Sequence, residues 1–307
     1  TTVNGGDDGD TINVRAINAL TTINAGAGSD RVNVGSLAPA VGGNVNAIGA
    51  ALVVNGDGAS DTLNVDDTGD NAPNTLNLTG TTITGLGMSV GITYGSMEFL
   101  NIGLGSGGNQ ANIRSTSAAT RVNSGAGDDF IVVGSLAPNL GGTLNSIDGP
   151  LTLDGQGGVD TLYADDSGDT LPNTGTLTAT TLTGLGMAGG MTYGNMEIFE
   201  ISLGSGDDTF NVTGTMRRDD FQTITVLNTG AGSDHVTVSL TEGVDGLFAV
   251  HLGFGDDQFD ASNSSFGLIV FGDEGNDRIT GGDGGDILFG DHGEVGFVNG
   301  NGEVVTR

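Results

Sequence analysis

Gly272-Asp-Glu-Gly-Asn-Asp277-Arg-Ile279 and Gly281-Gly-Asp-Gly-Gly-Asp286-Ile-Leu288 follow one another, their first glycines nine residues apart. In each, a glycine-rich turn ends on an aspartate, and an apolar residue stands two positions later. Glycine admits the positive φ of a tight turn, the carboxylate offers hard oxygen donors, and the apolar residue opens a short strand. Such a turn suits a hard cation, and a chain that repeats it at a fixed spacing winds into a solenoid. A decayed third copy runs from Gly290 to Phe297, with Val295 in the place of the aspartate.

The same spacing recurs upstream in Asn24-Ala-Gly-Ala-Gly-Ser-Asp30-Arg-Val32, Asn123-Ser-Gly-Ala-Gly-Asp-Asp129-Phe-Ile131 and Asn228-Thr-Gly-Ala-Gly-Ser-Asp234-His-Val236. Turn aspartates stand at 10, 30, 61, 129, 160, 208, 234, 257 and 277, with Asn109 in the same role, and most intervals are 20 to 31 residues. Two gaps of 48 residues, from Asp61 to Asn109 and from Asp160 to Asp208, have Gly85 and Gly184 at their centres. These read as turns that kept glycine and lost the carboxylate. Short alternating runs such as Arg31-Val-Asn-Val34 and Phe130-Ile-Val-Val133 follow the turns and would point every second residue inward. Helical periodicity is absent. One coil per turn, with all turns on one edge, predicts an all-β, right-handed parallel β-solenoid (a β-helix or β-roll). A dozen coils spaced ~4.8 Å apart would make a rod roughly 60 Å long.

A shift of 99 residues superposes Val34-Gly-Ser-Leu-Ala-Pro39 on Val133-Gly-Ser-Leu-Ala-Pro138, and Thr84-Gly-Leu-Gly-Met88 on Thr183-Gly-Leu-Gly-Met187. The chain therefore divides into residues 1–20, the tail of a preceding repeat; 21–119 and 120–218, two full copies; and 219–307, a divergent part ending in the nonapeptides. Four coils per copy would relate the two by a translation of roughly 19 Å with a modest twist.

Glycine makes up 58 of the 307 residues, and the net charge is −30 with no lysine. That balance excludes nucleic acid and anionic membrane surfaces as partners, and it makes the compact chain repel itself unless cations neutralise it. No apolar run is long enough for membrane insertion. With no cysteine, neither disulfides nor thiolate sites are available. His235, His251 and His292 are isolated from one another, so no acid/base constellation stands out and no enzyme activity is expected. Asp66-Asp67-Thr-Gly-Asp70 and Asp165-Asp166-Ser-Gly-Asp169 recur at the 99-residue shift and read as acidic surface loops or as a second kind of cation site. The threonine rows Thr81–Thr84 and Thr180–Thr183 are too few for an ice-binding array, and the lack of tryptophan argues against an aromatic sugar platform.

The nonapeptides resemble the G-G-x-G-x-D-x-U-x repeat of the RTX (repeats-in-toxin, hemolysin-type) calcium-binding family. That resemblance implies Ca²⁺ as the bound ion, with Asp277 and Asp286 as ligands and, by extension, Asp8, Asp10, Asp30, Asp61, Asp129, Asp160, Asp208, Asp234 and Asp257. It also implies secretion or surface display on a bacterium, and a structural role as stalk, adhesin body or building block of an extracellular filament or layer. Partners would then be copies of the chain or adjoining repeats. The alternative is a calcium-dependent folding and secretion module attached to a toxin or enzyme elsewhere in a longer chain.

Overall fold

A computed structural model describes residues 1–219 and 221–291, together with the backbone of 297–298 and 304–305. Every regular element among them is a strand, and nearly all strands belong to two long sheets of 14 and 13 strands. The chain passes alternately between these sheets, so each coil adds one strand to both. It enters as β1 (Thr2–Gly6) in the first sheet and β2 (Thr11–Val14) in the second, then continues as β3 (Thr21–Ala27) and β4 (Arg31–Val34), and as β5 (Leu52–Gly58) and β6 (Thr62–Asp66). Successive strands within a sheet are parallel and in register, with Val32 beside Leu63 and Ile23 beside Val54.

Alternation builds the core directly. Val32, Val34, Leu63 and Val65 point into the space between the sheets, while Arg31, Asn33, Thr62 and Asn64 point out. Later coils fill that space with Phe199, Phe210, Phe248 and Phe259, all fully buried. Outward asparagines in register form amide ladders, which satisfy one side-chain N–H per rung: Asn24 donates to Asn4 and Asn55 to Asn24. The core and both sheets run unbroken through residue 120, since β10 (Phe99–Gly103) pairs with β12 (Ala119–Asn123).

Two three-stranded insertions break the parallel pattern. After β6 the chain lays β7 (Thr75–Leu78), β8 (Thr82–Gly85) and β9 (Ile92–Gly95) side by side in the first sheet, with β8 antiparallel to both neighbours. β9 lies against β5, and β7 against β11 (Gln110–Ile113). Gly85 and Gly184 are therefore not solenoid turns that lost an aspartate. Each ends the middle strand of an insertion, with φ of 89° and 84°, and a Cβ on Gly85 would sit 1.8 Å from the Thr75 carbonyl oxygen. Glycine is kept there for reversing an antiparallel strand.

The insertions also change how the two copies are related. Residues 21–119 supply nine strands, β3 to β11, six in the first sheet and three in the second. Because nine is odd, the next copy starts in the opposite sheet. Its strands, β12, β13 (Phe130–Val133), β14 (Leu151–Asp154), β15 (Thr161–Asp165), β16 (Thr174–Leu177), β17 (Thr181–Gly184), β18 (Met191–Gly194), β19 (Ile198–Ser202) and β20 (Thr209–Val212), put six in the second sheet and three in the first. Over two copies each sheet gains nine, so the sheets stay level. The copies are related by a half-turn about the rod, and the expected near-pure translation is corrected.

Candidate cation sites along the turn edges

Each glycine-aspartate turn carries its aspartate to the start of the next strand, where the carboxylate reaches back to the preceding coil. Asp30 Oδ1 accepts the Asp10 backbone N–H at 2.6 Å, and Asp61 Oδ1 accepts that of Asp30 at 2.8 Å. Asp129 accepts from Asn109, and Asp160 from Asp129. Further along, Asp234 accepts from Asp208, Asp257 from Asp234, and Asp277 from Asp257. The sequence-read aspartates thus form hydrogen-bonded columns, one carboxylate per coil.

They do not share one edge. The turns of Asp10, Asp30 and Asp61 pass from the first sheet to the second, whereas those of Asn109, Asp129 and Asp160 pass back, on the opposite edge. Asp208, Asp234, Asp257 and Asp277 return to the original edge, and Asp286 lies across from them. This switching follows from the odd strand count of the repeat.

Glu98 and Glu197 complete the first two columns and were missed by the glycine-aspartate spacing. Glu98 Oε2 accepts the Asp61 N–H at 2.7 Å, and Glu197 Oε2 that of Asp160 at 2.6 Å. The recurrence of Met-Glu at 97–98 and 196–197 was the available signal. Glu197 is buried, and its other oxygen is paired with the Arg218 guanidinium, so that column ends on an internal cation.

The second oxygen of each aspartate defines the sites. Among the described residues, Oδ2 of Asp30, Asp61, Asp129, Asp160, Asp234, Asp257 and Asp277 is buried with no hydrogen-bond partner. At three of these a backbone carbonyl oxygen of the next coil stands close by. The position a Cβ would take on Gly56 is 2.6 Å from Asp61 Oδ2 and 1.9 Å from the Ser96 carbonyl oxygen of the next coil. Gly155 stands likewise at 2.5 Å from Asp160 Oδ2 and 2.1 Å from Asn195 O, and Gly272 at 2.6 Å from Asp277 Oδ2 and 2.3 Å from Gly290 O. A carboxylate oxygen and a carbonyl oxygen face each other across a glycine, two acceptors with no donor.

Asn109 shows what the arrangement lacks. Its Oδ1 accepts the Asn74 N–H at 3.0 Å, as an aspartate would, and its Nδ2 donates to Ser124 O at 3.0 Å and Gly105 O at 3.2 Å. Ser124 O is the next-coil carbonyl that corresponds to Ser96 O and Asn195 O. Where the column has an amide, donated protons close the gap; where it has a carboxylate, a proton or a cation must do so. Burial raises the carboxyl pKa of Asp61, Asp129 and Asp208 and pushes those of Asp160 and Asp257 to about 7 and that of Asp234 to about 6, against the opposing effect of the backbone N–H bonds.

The remaining aspartates fit less well. Asp8 is exposed in the first turn, beside Asp10. Both oxygens of Asp286 accept backbone N–H groups, from Leu268 and Gly282. Asn109 offers no charge, and residues 292–296 of the third nonapeptide, His292 and Val295 among them, lie outside the described residues. The paired acidic loops are not plain surface loops, since Asp67, Asp165, Asp166 and Asp169 are buried: Asp66 accepts from Gly43 N, Asp67 from Val45 N and Asp70 from Ala72 N, and Asp165, Asp166 and Asp169 repeat the pattern on Gly142, Leu144 and Leu171. They tie loops to coils. His251 bonds Asp273 at 3.1 Å and stacks on Phe271, while His235 is exposed.

Among the described residues no three acidic or histidine side chains gather around one point. A bound ion would therefore take one carboxylate per coil and draw its other ligands from backbone carbonyls, a donor set that suits a hard cation such as Ca²⁺. Among the same residues no helix is long and apolar enough to cross a membrane. No protein-family model matches the chain, and no curated protein matches it either.

In the metal-free protein the raised carboxyl pKa values fix the direction of the pH response. The folded chain holds protons that the unfolded chain, with carboxyls near 3.8, has released. Asp67 and Asp166, both pushed to about 7 by burial, act in the same sense. Stability is therefore lowest above about pH 7 and rises as pH falls through that range toward the unfolded value. In chelator, the melting temperature should be higher at pH 5 than at pH 8. A flat or reversed profile would mean that these carboxylates are not held at raised pKa.

Proposed function

We propose that this chain is a calcium-stabilised structural segment of a large extracellular bacterial protein, serving as stalk, adhesin body or building block of a fibre or surface layer. The observation that carries the reading is the row of buried Oδ2 atoms, three of which face a carbonyl oxygen of the next coil with no donor between. A cation at each of Asp61, Asp160 and Asp277 turns that acceptor–acceptor contact into a link between adjacent coils, and it offsets part of the −30 charge. The unbroken pair of sheets supports a load-bearing rod, wound in the right-handed sense that parallel β connections favour. The nonapeptide resemblance to RTX repeats points to the same ion and to a calcium-rich extracellular setting.

Equilibrium dialysis against millimolar calcium tests this reading. At least three ions per chain should be retained, and Asp277→Ala should remove one of them. A chain that retains no calcium would overturn the proposal.

A further inference from the structure

Loops 35–50 and 134–149 occupy matching places in the two copies and are anchored alike. Arg15 Nε donates to the Ala38 carbonyl at 2.7 Å, and Arg114 Nε to the Ala137 carbonyl at 2.6 Å. Residues 38–41 of the first loop form one side of a groove on the outer face of a sheet. The floors beside the two loops share Thr62 and Thr161 and differ at five other positions. At 99-residue spacing Arg31 becomes Phe130, Asn33 becomes Val132, Asn64 becomes Tyr163, Phe99 becomes Ile198 and Asn101 becomes Glu200. In the second copy the face carries Phe130, Tyr163 and Glu200 where the first has Arg31, Asn64 and Asn101, and the Tyr163 hydroxyl lies 2.7 Å from Ser202 Oγ. In the first copy a groove of about 590 Å³ is left open on the outer face of β4, β6, β10 and β12.

Asparagine amides run across the floor of this groove, beside an apolar side formed by Ala38, Pro39, Val41 and Phe99. Asn33 donates to Asn13, Asn64 to Asn33 and Asn101 to Asn64, at 2.8 to 2.9 Å. Within such a ladder an amide uses one N–H and one lone pair, and keeps one of each. Asn33 is buried, so the accessible rungs are Asn64 and Asn101, which present a free donor and a free acceptor each, ~4.8 Å apart. A hydroxyl group is also donor and acceptor at once, so a chain of hydroxyls matches this column better than a carboxylate or an ammonium would. Phe99, 47 % exposed, stands in the same face between Thr62 and Ala119 and offers an apolar surface to C–H groups. The charges of the groove cancel: Arg31 and Arg121 are set against Asp66, and against Asp154, which pairs with Arg121 at 3.3 Å. The net charge of −30 repels polyanions from the rest of the rod.

We infer that this groove binds a neutral glycan lying along the rod, its hydroxyls on the accessible Asn64 and Asn101 amides and one ring against Phe99. The lack of tryptophan is no obstacle, because amides rather than an aromatic platform carry the recognition. The groove adjoins one carboxylate column, since Arg31, Thr62 and Phe99 directly follow Asp30, Asp61 and Glu98, but its side chains point away from that turn edge onto the outer face of the sheet.

Affinity electrophoresis of the full chain in calcium tests the assignment, using gels that contain dextran, galactomannan, hydroxyethyl cellulose, a soluble β-1,3-glucan or, as an acidic control, alginate. At least one neutral polysaccharide should retard the chain. Phe99→Ala combined with Arg31→Gln should weaken that retardation at least ten-fold with an unchanged calcium-loaded melting temperature, and Phe130→Ala, at the matching place in the second copy, should leave it intact. Retardation by none of the neutral polymers, by alginate alone, or equally in the Phe99 and Phe130 variants would overturn the proposal.

Discussion

Calcium added in excess to the metal-free chain at pH 8 is expected to raise its melting temperature by more than about 10 °C. The magnitude follows from the number of sites. A ligand at a hundred times its dissociation constant stabilises by about 2.7 kcal/mol per site, and in a chain of this size each kcal/mol shifts the midpoint by roughly 2–4 °C. The proposed sites at Asp61, Asp160 and Asp277 number three, and ions at the four other orphaned carboxylates would add to them. The gain should shrink at pH 5, where the raised carboxyls hold protons that compete with the ion. Magnesium should do less, because it demands tighter octahedral geometry than a column of turn carbonyls gives. Thermal melts by circular dichroism in chelator, calcium and magnesium read all of this. An identical melting temperature in chelator and calcium would remove the ion from the account of stability.

Asp160→Asn should separate the two roles of the turn carboxylate. The amide Oδ1 can still accept the Asp129 N–H, and its Nδ2 can donate to the Asn195 carbonyl, as Asn109 does to Ser124. In chelator at pH 8 the variant should therefore be more stable than the parent, by about 1–3 kcal/mol, the cost of a buried group without a partner. In calcium the order should reverse, because one ion is lost. Asp160→Ala lacks the acceptor as well, leaves the Asp129 N–H unpaired, and should be the weakest of the three in both conditions. Denaturant melts of parent, Asn and Ala variants with and without calcium give the comparison. An Asn variant less stable than the parent in chelator would show that Asp160 Oδ2 is already satisfied without an ion.

Much of this was legible in local sequence. The alternation in Arg31-Val-Asn-Val34 and Phe130-Ile-Val-Val133 fixed which side chains face the core, and the glycine-aspartate spacing located every aspartate that now stands in a column. The 99-residue period was visible as well, and the structure keeps it as a nine-strand unit. Glu98 and Glu197 escaped because a glutamate reaches the same backbone N–H from a shorter, glycine-poor turn, so its role shows only when the neighbouring coil is in place.

What the sequence by itself determined is the all-β solenoid class and the identity of the turn carboxylates, because both depend on residues within one turn and one strand of each other. Only the tertiary structure decided on which edge each carboxylate lies, that Gly85 and Gly184 end inserted antiparallel strands, and that the outer face of β4, β6, β10 and β12 carries a groove. Those features depend on how many strands separate two points of the chain and on which coil lies beside which. A strand that pairs with a partner 37 residues away, as β6 does with β10, has the same local sequence signal as one that pairs 20 residues away.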